Sequence, residues 1–437
     1  MRNKYRSYNF PSGWNKLLPE RPPASSAKGK IAAKYAVVGA GYTGLAAARR
    51  LAELDPSADI IVLESSVVGE GSSARNSGFT GGANLAKLFT GPKDMNVDSI
   101  GVSQSVSEYN GHGLSWLHEL MAQHNFECDL KKSVTFRATA TAEGEKLLLQ
   151  QQAVALKAGN DYPLIGRDEL EARTGMTHYC RALVYDTNFL LDPAKLIRGL
   201  ADTLPSNVQL FERSLVSELR RAGKWVLKTA EAEVTADVVV LANNAFVKTL
   251  GWLGDKIMSL YTYAGITEAM SAEDAKKLGS EPVWGLTAAV RAGGSTLRRV
   301  GENRFMVRSL YSYEREMDPA KVRQGITEKF HRRFPKLSHV KVEHFWGCMT
   351  DMTRNGNPYW GQLDDGLFAS VGYNGLGITK GTILGKRLAE RILNHGNWQE
   401  VEKVYGCANK MPSEPIRAIG YKLIYTVRTR LAGVDAT

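Results

Sequence analysis

Hydrophobic residues recur along this chain in two rhythms, and their alternation predicts its architecture. Residues 35–38 form an unbroken apolar run, as expected of a strand buried on both faces of a parallel sheet. Leu45, Ala48 and Leu51 then repeat at helical spacing, and residues 60–63 make a second unbroken run, followed by Glu64. Polar-faced helices are predicted over 103–125, where Leu114, Leu117 and Leu120 fall on helical steps, and over 142–158. Asp192 and Pro193 read as the N-cap and first position of another helix. Short strands follow at 208–219, 225–229 and 233–241, the last running into the small residues 242–245. A meander of strands at 260–269, 296–300 and 304–313 comes next, the last two joined by a Gly-Glu-Asn turn at 301–303. The apolar run 366–371 then leads through a glycine-rich turn into a helix over 380–393. Residues 1–30 contain Pro11, Pro19, Pro22 and Pro23, which exclude a long helix and predict an irregular arm.

The first strand and helix are joined by Gly39-Ala-Gly41-Tyr42-Thr43-Gly44, and this spacing carries chemistry. Gly39 allows the tight turn, Gly41 lets a pyrophosphate approach the backbone, and Gly44 lets the helix lie close on the sheet. The helix start, with Tyr42 and Thr43 in its first turn, adds unpaired N–H groups and the positive end of a dipole. Glu64 stands 20 residues beyond Gly44, where its carboxylate would accept hydrogen bonds from a ribose diol. A glycine-rich turn without a ligand is the lesser reading, because strand, glycines, helix, second strand and acid occur in order. Residues 69–82 are too rich in glycine and small polar side chains for a regular core element, and suit a loop that wraps a ligand.

Composition narrows the function classes. The 437 residues suffice for two or three domains, and 43% hydrophobic with 23% charged residues is ordinary for a folded enzyme. The formal charge of +11 comes from Lys and Arg spread along the chain, which favours anionic substrates or an anionic membrane surface over nucleic acid. Cys128, Cys180, Cys348 and Cys407 lack C-x-x-C spacing, so neither a metal site nor a disulfide framework is indicated and a reducing compartment fits. The first 30 residues contain no continuous apolar h-region, and no run reaches the roughly 18 apolar residues of a membrane span. A cytoplasmic protein is expected, touching a membrane at most from one side. The segment suited to such contact is 416–431, an apolar stripe edged by Arg417, Lys422, Arg428 and Arg430; packing on its own domain is the alternative.

Three motifs carry a family resemblance: V-V-G-A-G-Y-T-G-L at 37–45, G-x-S-x-R-N-x-G at 71–78 and G-Y-N-G-L-G-I-T at 372–379. From about residue 35 to residue 393 the chain resembles the FAD-dependent D-amino-acid oxidase, glycine oxidase and sarcosine oxidase superfamily, and most of all its gamma-glutamylputrescine oxidoreductase-like branch. The resemblance implies a two-domain fold of the α/β (α+β) class. A Rossmann-like FAD-binding domain would comprise 31–95, 181–252 and 346–400. A discontinuous substrate domain on a mostly antiparallel sheet would comprise 96–180 and 253–345, flanked by the arm 1–30 and a tail 401–437.

It also implies roles. The first motif would bind the FAD pyrophosphate and Glu64 the adenosine ribose. Ser72, Ser73, Arg75, Asn76, Ser77 and Gly78 would pass along pyrophosphate and flavin. Val216 would lie by the adenine, and Ala242 and Asn243 end a strand suited to approach the nucleotide. In the late turn of Gly372, Asn374, Gly375, Gly377, Ile378 and Thr379, the last three would face the pyrimidine edge of the flavin. Backbone N–H groups there would stabilise negative charge on the reduced ring; a plain strand-to-helix turn is the alternative. The segment Cys348-Met-Thr-Asp-Met-Thr resembles the one by which sarcosine and pipecolate oxidases tether the flavin through sulfur. A buried, inert cysteine beside a non-covalently held FAD is the preferred reading.

Sarcosine oxidases carry an arginine where this chain has Gly78 and a lysine where it has Thr379, so their carboxylate-binding pair is missing. Arg308, Tyr311 and Tyr313 on one strand, with Tyr261 and Tyr263 on a neighbour, are the replacement candidates over the flavin; Arg308, Tyr263 and Tyr311 form the catalytic set. Simple sheet packing is the competing account. The implied reaction oxidises a C–N bond by hydride transfer to flavin N5, leaving an imine that water hydrolyses, with no obligatory acid–base residue. A gamma-glutamylputrescine-like amine or a cyclic secondary amino acid such as L-pipecolate is the expected substrate, with oxygen or a quinone as electron acceptor. A membrane-associated, quinone-linked amino-acid dehydrogenase is the alternative. A flavin monooxygenase is a remoter one, since no second dinucleotide fingerprint for NADPH occurs.

Overall fold

The computed structural model describes residues 8–81, 97–157, 159–290 and 292–436. Two sheets share one continuous core. At the centre of the first, Gly29–Val38 runs parallel to Ala232–Leu241 on one side and Ile60–Leu63 on the other. Leu367–Val371 and Val208–Phe211 extend it in parallel, and Tyr359–Asp364 closes one end antiparallel. Ile60–Leu63 is buried at every position, as its unbroken apolar run requires of a central parallel strand.

The second sheet is mostly antiparallel. Val342–Met352, Met258–Thr267, Arg304–Tyr313, Thr296–Val300 and Trp284–Ala288 are neighbours in that order, followed by Lys131–Thr139, Arg181–Leu190 and Phe79–Gly81. Among the described residues, only Trp284–Ala288 and Lys131–Thr139 pair in parallel in this sheet. Three stretches therefore sit in a different sheet from the one their sequence position implied. Phe79–Gly81, Arg181–Leu190 and the segment 346–352 pair within the second sheet, although 31–95, 181–252 and 346–400 were expected to build the first. An apolar rhythm predicts that a strand exists, whereas its hydrogen-bonding partner is set by segments far away.

Boundaries move for local reasons. The predicted strand 208–219 is two, Val208–Phe211 and Glu218–Ala222, with Arg213 between them at φ +53°. The late helix begins at Gly377 and the polar-faced one spans Val97–His124; the end of 142–158, residue 158, lies outside the described residues, as does residue 82 of the glycine-rich loop. Glycines set how closely the helices approach. A methyl group on Gly385 would stand 2.3 Å from the Thr43 carbonyl oxygen, so Gly377–Ile392 rests directly on Tyr42–Leu54. Among the described residues, no helix is long and apolar enough to cross a membrane.

Candidate active site

The early glycine turn leaves no room for side chains. Gly39 has φ +102°, and a methyl group on Gly44 would lie 1.9 Å from the Gly39 carbonyl oxygen. Gly41 precedes the helix Tyr42–Leu54, and a methyl there would meet the Ser73 hydroxyl at 2.8 Å. Backbone, helix start and the Ser72–Ala74 turn thus face one another at contact distance. Glu64, buried at the tip of its strand, accepts from the Ala40 N–H at 2.9 Å and from the Ser66 N–H at 3.0 Å.

These groups enclose a cavity of about 540 Å³. Gly39, Gly41, Glu64, Ser72, Ser73 and Arg75 line it, and Val216, Ala242 and Asn243 close the far side. Asn243 lines the cavity, and its Oδ1 is buried with no protein hydrogen-bond partner. A glycine turn at a helix start and a carboxylate at the tip of the next strand, facing one cavity, are the arrangement that suits a dinucleotide. Tyr42, Thr43 and Gly44 stand behind this wall: Tyr42 donates its N–H to Ser73 Oγ at 3.2 Å, and Thr43 bonds the late turn.

The arm, which sequence reasoning left outside the site, belongs to it. Tyr8, Phe10 and Pro11 line the cavity. The Tyr8 hydroxyl lies 3.1 Å from Ser72 Oγ, and its ring faces the Arg75 guanidinium at 3.9 Å; burial pushes this phenol up to about 12. Trp14 is buried against Trp346 and donates to the Asn76 carbonyl at 2.9 Å. The sequence signal was Tyr8, Phe10 and Trp14 close together in a proline-rich stretch too short to build a core of its own.

Two buried arginines lock the 71–78 loop from the second sheet. Arg298, absent from the sequence-based set, donates to the Ser77 carbonyl at 2.9 Å and the Leu191 carbonyl at 2.7 Å; burial pulls it down to about 10. A side chain at Gly78, φ +70°, would collide with that guanidinium at 2.4 Å. Arg308 donates to Ser77 Oγ at 2.8 Å, to Thr262 Oγ1 at 2.6 Å and to the Arg75 carbonyl. Burial lowers its pKa, so it is not a solvated charge, and each of its three nitrogens already has a protein acceptor. Arg75 is equally engaged, by Glu70 Oε2 at 2.6 Å and the carbonyls of Phe10 and Gly347. Asn76 closes the loop on itself, donating to the Ser73 carbonyl and accepting from the Gly78 N–H.

Register separates the tyrosines. Ala264 pairs with Arg308 and Thr262 with Tyr311, which puts Arg308 and Tyr311 on one face; the irregularity at Leu310 makes their odd spacing possible. Tyr263 projects from the opposite face, where its hydroxyl bonds Ser312 Oγ at 2.7 Å and the Met317 N–H. Cys348 pairs with Thr262 and is buried, its sulfur 3.9 Å from the Ser72 carbonyl, just behind a turn that lines the cavity.

The late turn is held by Asp351, another residue the sequence did not single out. Its carboxylate accepts from the N–H groups of Gly372 and Tyr373, and its carbonyl from Asn374. Burial raises its pKa, while those two N–H bonds and Lys380 pull the other way. The Asn374 amide accepts from the Thr353 N–H at 2.9 Å and donates to the carbonyls of Gly372 and Gly356. Gly375 is exposed, and Ile378 and Thr379 are buried beside Gly377 at the helix start. None of the six late-turn residues lines the 540 Å³ cavity. The two turns are nonetheless joined, because the Tyr373 hydroxyl lies 2.7 Å from Thr43 Oγ1.

Residues 34–391 match the family described as DAO, FAD dependent oxidoreductase. The chain is 26% identical over 384 residues to the gamma-glutamylputrescine oxidoreductase of Escherichia coli K12, covering 85% of this chain and 86% of that one. Its fold is similar to the crystal structure of glycine oxidase from Geobacillus kaustophilus, with a TM-score of 0.73 at 16% identity over 88% of this chain and all of that one. It is also similar to L-proline dehydrogenase from P. horikoshii, with a TM-score of 0.67 at 16% identity, covering 88% and 98%. By a match that spans most of its length, and with a dinucleotide cradle where that match requires one, the chain belongs to the DAO family of FAD-dependent oxidoreductases and takes FAD as its cofactor.

Proposed function

We propose that the protein oxidises the C–N bond of an amine, with a gamma-glutamylputrescine-like amine as the first candidate. The observation that carries the reading is the seam itself: a dinucleotide cavity whose wrapping loop is bonded to one face of the second sheet through Arg298 and Arg308. Bound FAD supplies the two-electron acceptor. The chain's own residues do the rest. Glu64 and the helix start hold the nucleotide end, while the arm and the two arginines fix the 71–78 loop. The substrate carbon gives up a hydride equivalent, the nitrogen lone pair becomes the second bond of an imine, and the N–H proton leaves to water.

The engaged guanidinium of Arg308 and the hydroxyl of Tyr263, bonded on the far face, argue against a clamp for a substrate carboxylate. This supports an amine over a cyclic amino acid such as L-pipecolate. Anaerobic mixing of the holoenzyme with amines and amino acids, followed by flavin absorbance, tests the choice; bleaching by L-pipecolate alone would overturn it. The FAD is read as non-covalent, so acid precipitation should leave the yellow colour in the supernatant. Colour that stays with the pellet, and is freed by Cys348→Ser, would establish a thioether instead.

One observation favours a second reading for the electron acceptor. Ile416, Ile419, Leu423 and Leu431 on the outer face of the helix Ile416–Ala432 are 63–67% exposed, beside Lys422 and Arg430. Such a face suits peripheral contact with an anionic membrane and hence a quinone acceptor. Co-sedimentation with anionic vesicles, together with slow turnover on oxygen and fast turnover on a soluble quinone, would favour it; full turnover on oxygen without vesicle binding would dismiss it.

A further inference from the structure

The arm that lines the nucleotide cavity is held in two different ways along its length. Near its junction with the first sheet it is pinned by charge: Arg198 donates to the Pro19 carbonyl at 2.7 Å, and Arg21 is paired with Asp202 at 2.8 Å and Glu212 at 3.0 Å. Residues 8–16 lie instead across the seam between the sheets. Their regular structure is the short helix Gly13–Lys16, and among the described residues the arm joins no strand before Gly29.

Side-chain contacts hold this outer part down on both sides. Toward the second sheet, the rings of Tyr8 and Tyr261 meet at 6.4 Å, those of Phe10 and Phe345 at 6.5 Å and those of Trp14 and Trp346 at 6.3 Å. Toward the wrapping loop, Ser12 donates its N–H to Glu70 Oε2 and its hydroxyl to the Ala74 carbonyl, both at 3.1 Å. Asn15 donates to Glu70 Oε1 at 2.8 Å, and the same carboxylate takes Arg75 of the loop. Glu70 is thus a clasp between arm and loop.

The residues that hold the arm are not those that face the nucleotide. Tyr8, Phe10 and Pro11 line the cavity, whereas Ser12, Trp14 and Asn15 do not. Elsewhere the wall is built into the first sheet: Val38 is paired with Leu63 on one side and Leu241 on the other, and Ala242 follows at the strand's end. Withdrawing that part would break strand pairing. Withdrawing the arm would break ring contacts and a few hydrogen bonds while every strand stays paired, which makes it the wall that opens first.

We propose that residues 8–16 form a strap over the cofactor site, swinging about residues 17–20 to let FAD enter and leave, with Glu70 as its clasp. The proposal needs FAD alone and is independent of which amine is oxidised.

The test uses the full chain and reads FAD exchange rather than turnover. Trp14→Phe and Asn15→Ala each remove one hydrogen bond of the strap without touching the cavity wall. Each should raise the population of the open strap about fivefold. Release and uptake of FAD, followed by flavin fluorescence, should then both quicken about fivefold, and the dissociation constant should stay within about twofold because both rates scale with opening. Trypsin cleavage after the exposed Lys16 reads the opening itself and should quicken by a similar factor. The sign of the uptake change is decisive, since damage to a site can weaken binding but cannot speed its filling. Uptake that is unchanged or slower would overturn the strap and leave the arm a fixed wall. Unchanged cleavage would overturn the clasp. Asn15 is half-buried, so its variant carries the test if Trp14→Phe does not fold.

Discussion

Two strand-glycine-helix turns, 39–44 and 372–377, look alike in sequence but differ in what holds their backbones. The early turn presents Gly39 and Gly41 to a cavity. At the front of the late turn, the N–H groups of Gly372, Tyr373 and Asn374 are all taken by Asp351. The start of its helix, at Gly377, Ile378 and Thr379, keeps the orphan N–H groups that every helix start has. The early turn is held too, its Gly39 N–H by the Leu63 carbonyl, its Ala40 N–H by Glu64 and its Tyr42 N–H by Ser73 Oγ, so the two differ in that the early turn lines a cavity while a buried carboxylate closes the front of the late one.

The sharpest way to break this comparison is to fill each turn. Gly44→Ala places a methyl 1.9 Å from a backbone oxygen that cannot move without opening the sheet, so loss of FAD and a stability cost of about 3 kcal/mol or more is expected. Gly375→Ala also suffers a positive φ, +85°, but its nearest neighbour is 3.8 Å away. About 1 kcal/mol and normal FAD content is expected there. Visible absorbance per polypeptide and thermal melting read both; equal loss of colour would mean that the turns are equivalent.

Next in size is Asp351→Asn. An asparagine supplies one acceptor where two N–H groups now point, so one buried donor is left unmatched at about 1–3 kcal/mol. The pH dependence has a defined sign. Burial raises the carboxyl's pKa in the folded state above its unfolded value near 3.9, so the folded protein binds the extra proton between the two. The wild-type advantage over the variant should therefore be largest below about pH 4 and narrow as pH rises through the folded pKa. A gap that widens with pH would mean that the two N–H bonds outweigh burial.

Glu64→Gln addresses the early turn alone. It keeps the shape but replaces one acceptor oxygen and removes the charge, so the FAD dissociation constant should rise about tenfold, while the N–H of Ala40 or Ser66 left unmatched costs the apoprotein about 1–3 kcal/mol, as at Asp351. A large drop in melting temperature with unchanged FAD affinity would make Glu64 a structural brace rather than a ligand contact.

How legible each region was follows from the same distinction. The early cradle depends on residues close in sequence, Gly39 to Glu64, and the rhythm of apolar positions sufficed. The cavity's other wall depends on an arm, Tyr8 to Trp14, whose role exists only once Trp346 and Ser72 are near it. Which tyrosines share a face with Arg308 was hidden for another reason: strict alternation sets Tyr311 opposite Arg308, and the irregularity at Leu310 reverses that. Asp351 was invisible because nothing in its own segment shows that its carboxyl meets backbone 21 residues further on.

The smallest effect probes a bond between the two turns. Tyr373 Oη lies 2.7 Å from Thr43 Oγ1, and the same hydroxyl also reaches Ser370 Oγ at 2.8 Å. Thr43→Val and Tyr373→Phe remove the bond from either side with little change of volume, and each should cost about 1 kcal/mol. Because both mutations delete the same contact, the double variant should cost less than the sum of the two by about 0.5–1 kcal/mol. Measured with and without FAD, the coupling separates two accounts of the seam. If bound FAD strengthens it, cofactor binding at the early turn draws the late helix inward. If it stays constant, the glycine contacts between the helices Tyr42–Leu54 and Gly377–Ile392 already fix their spacing, and the late turn answers to Asp351 rather than to the nucleotide.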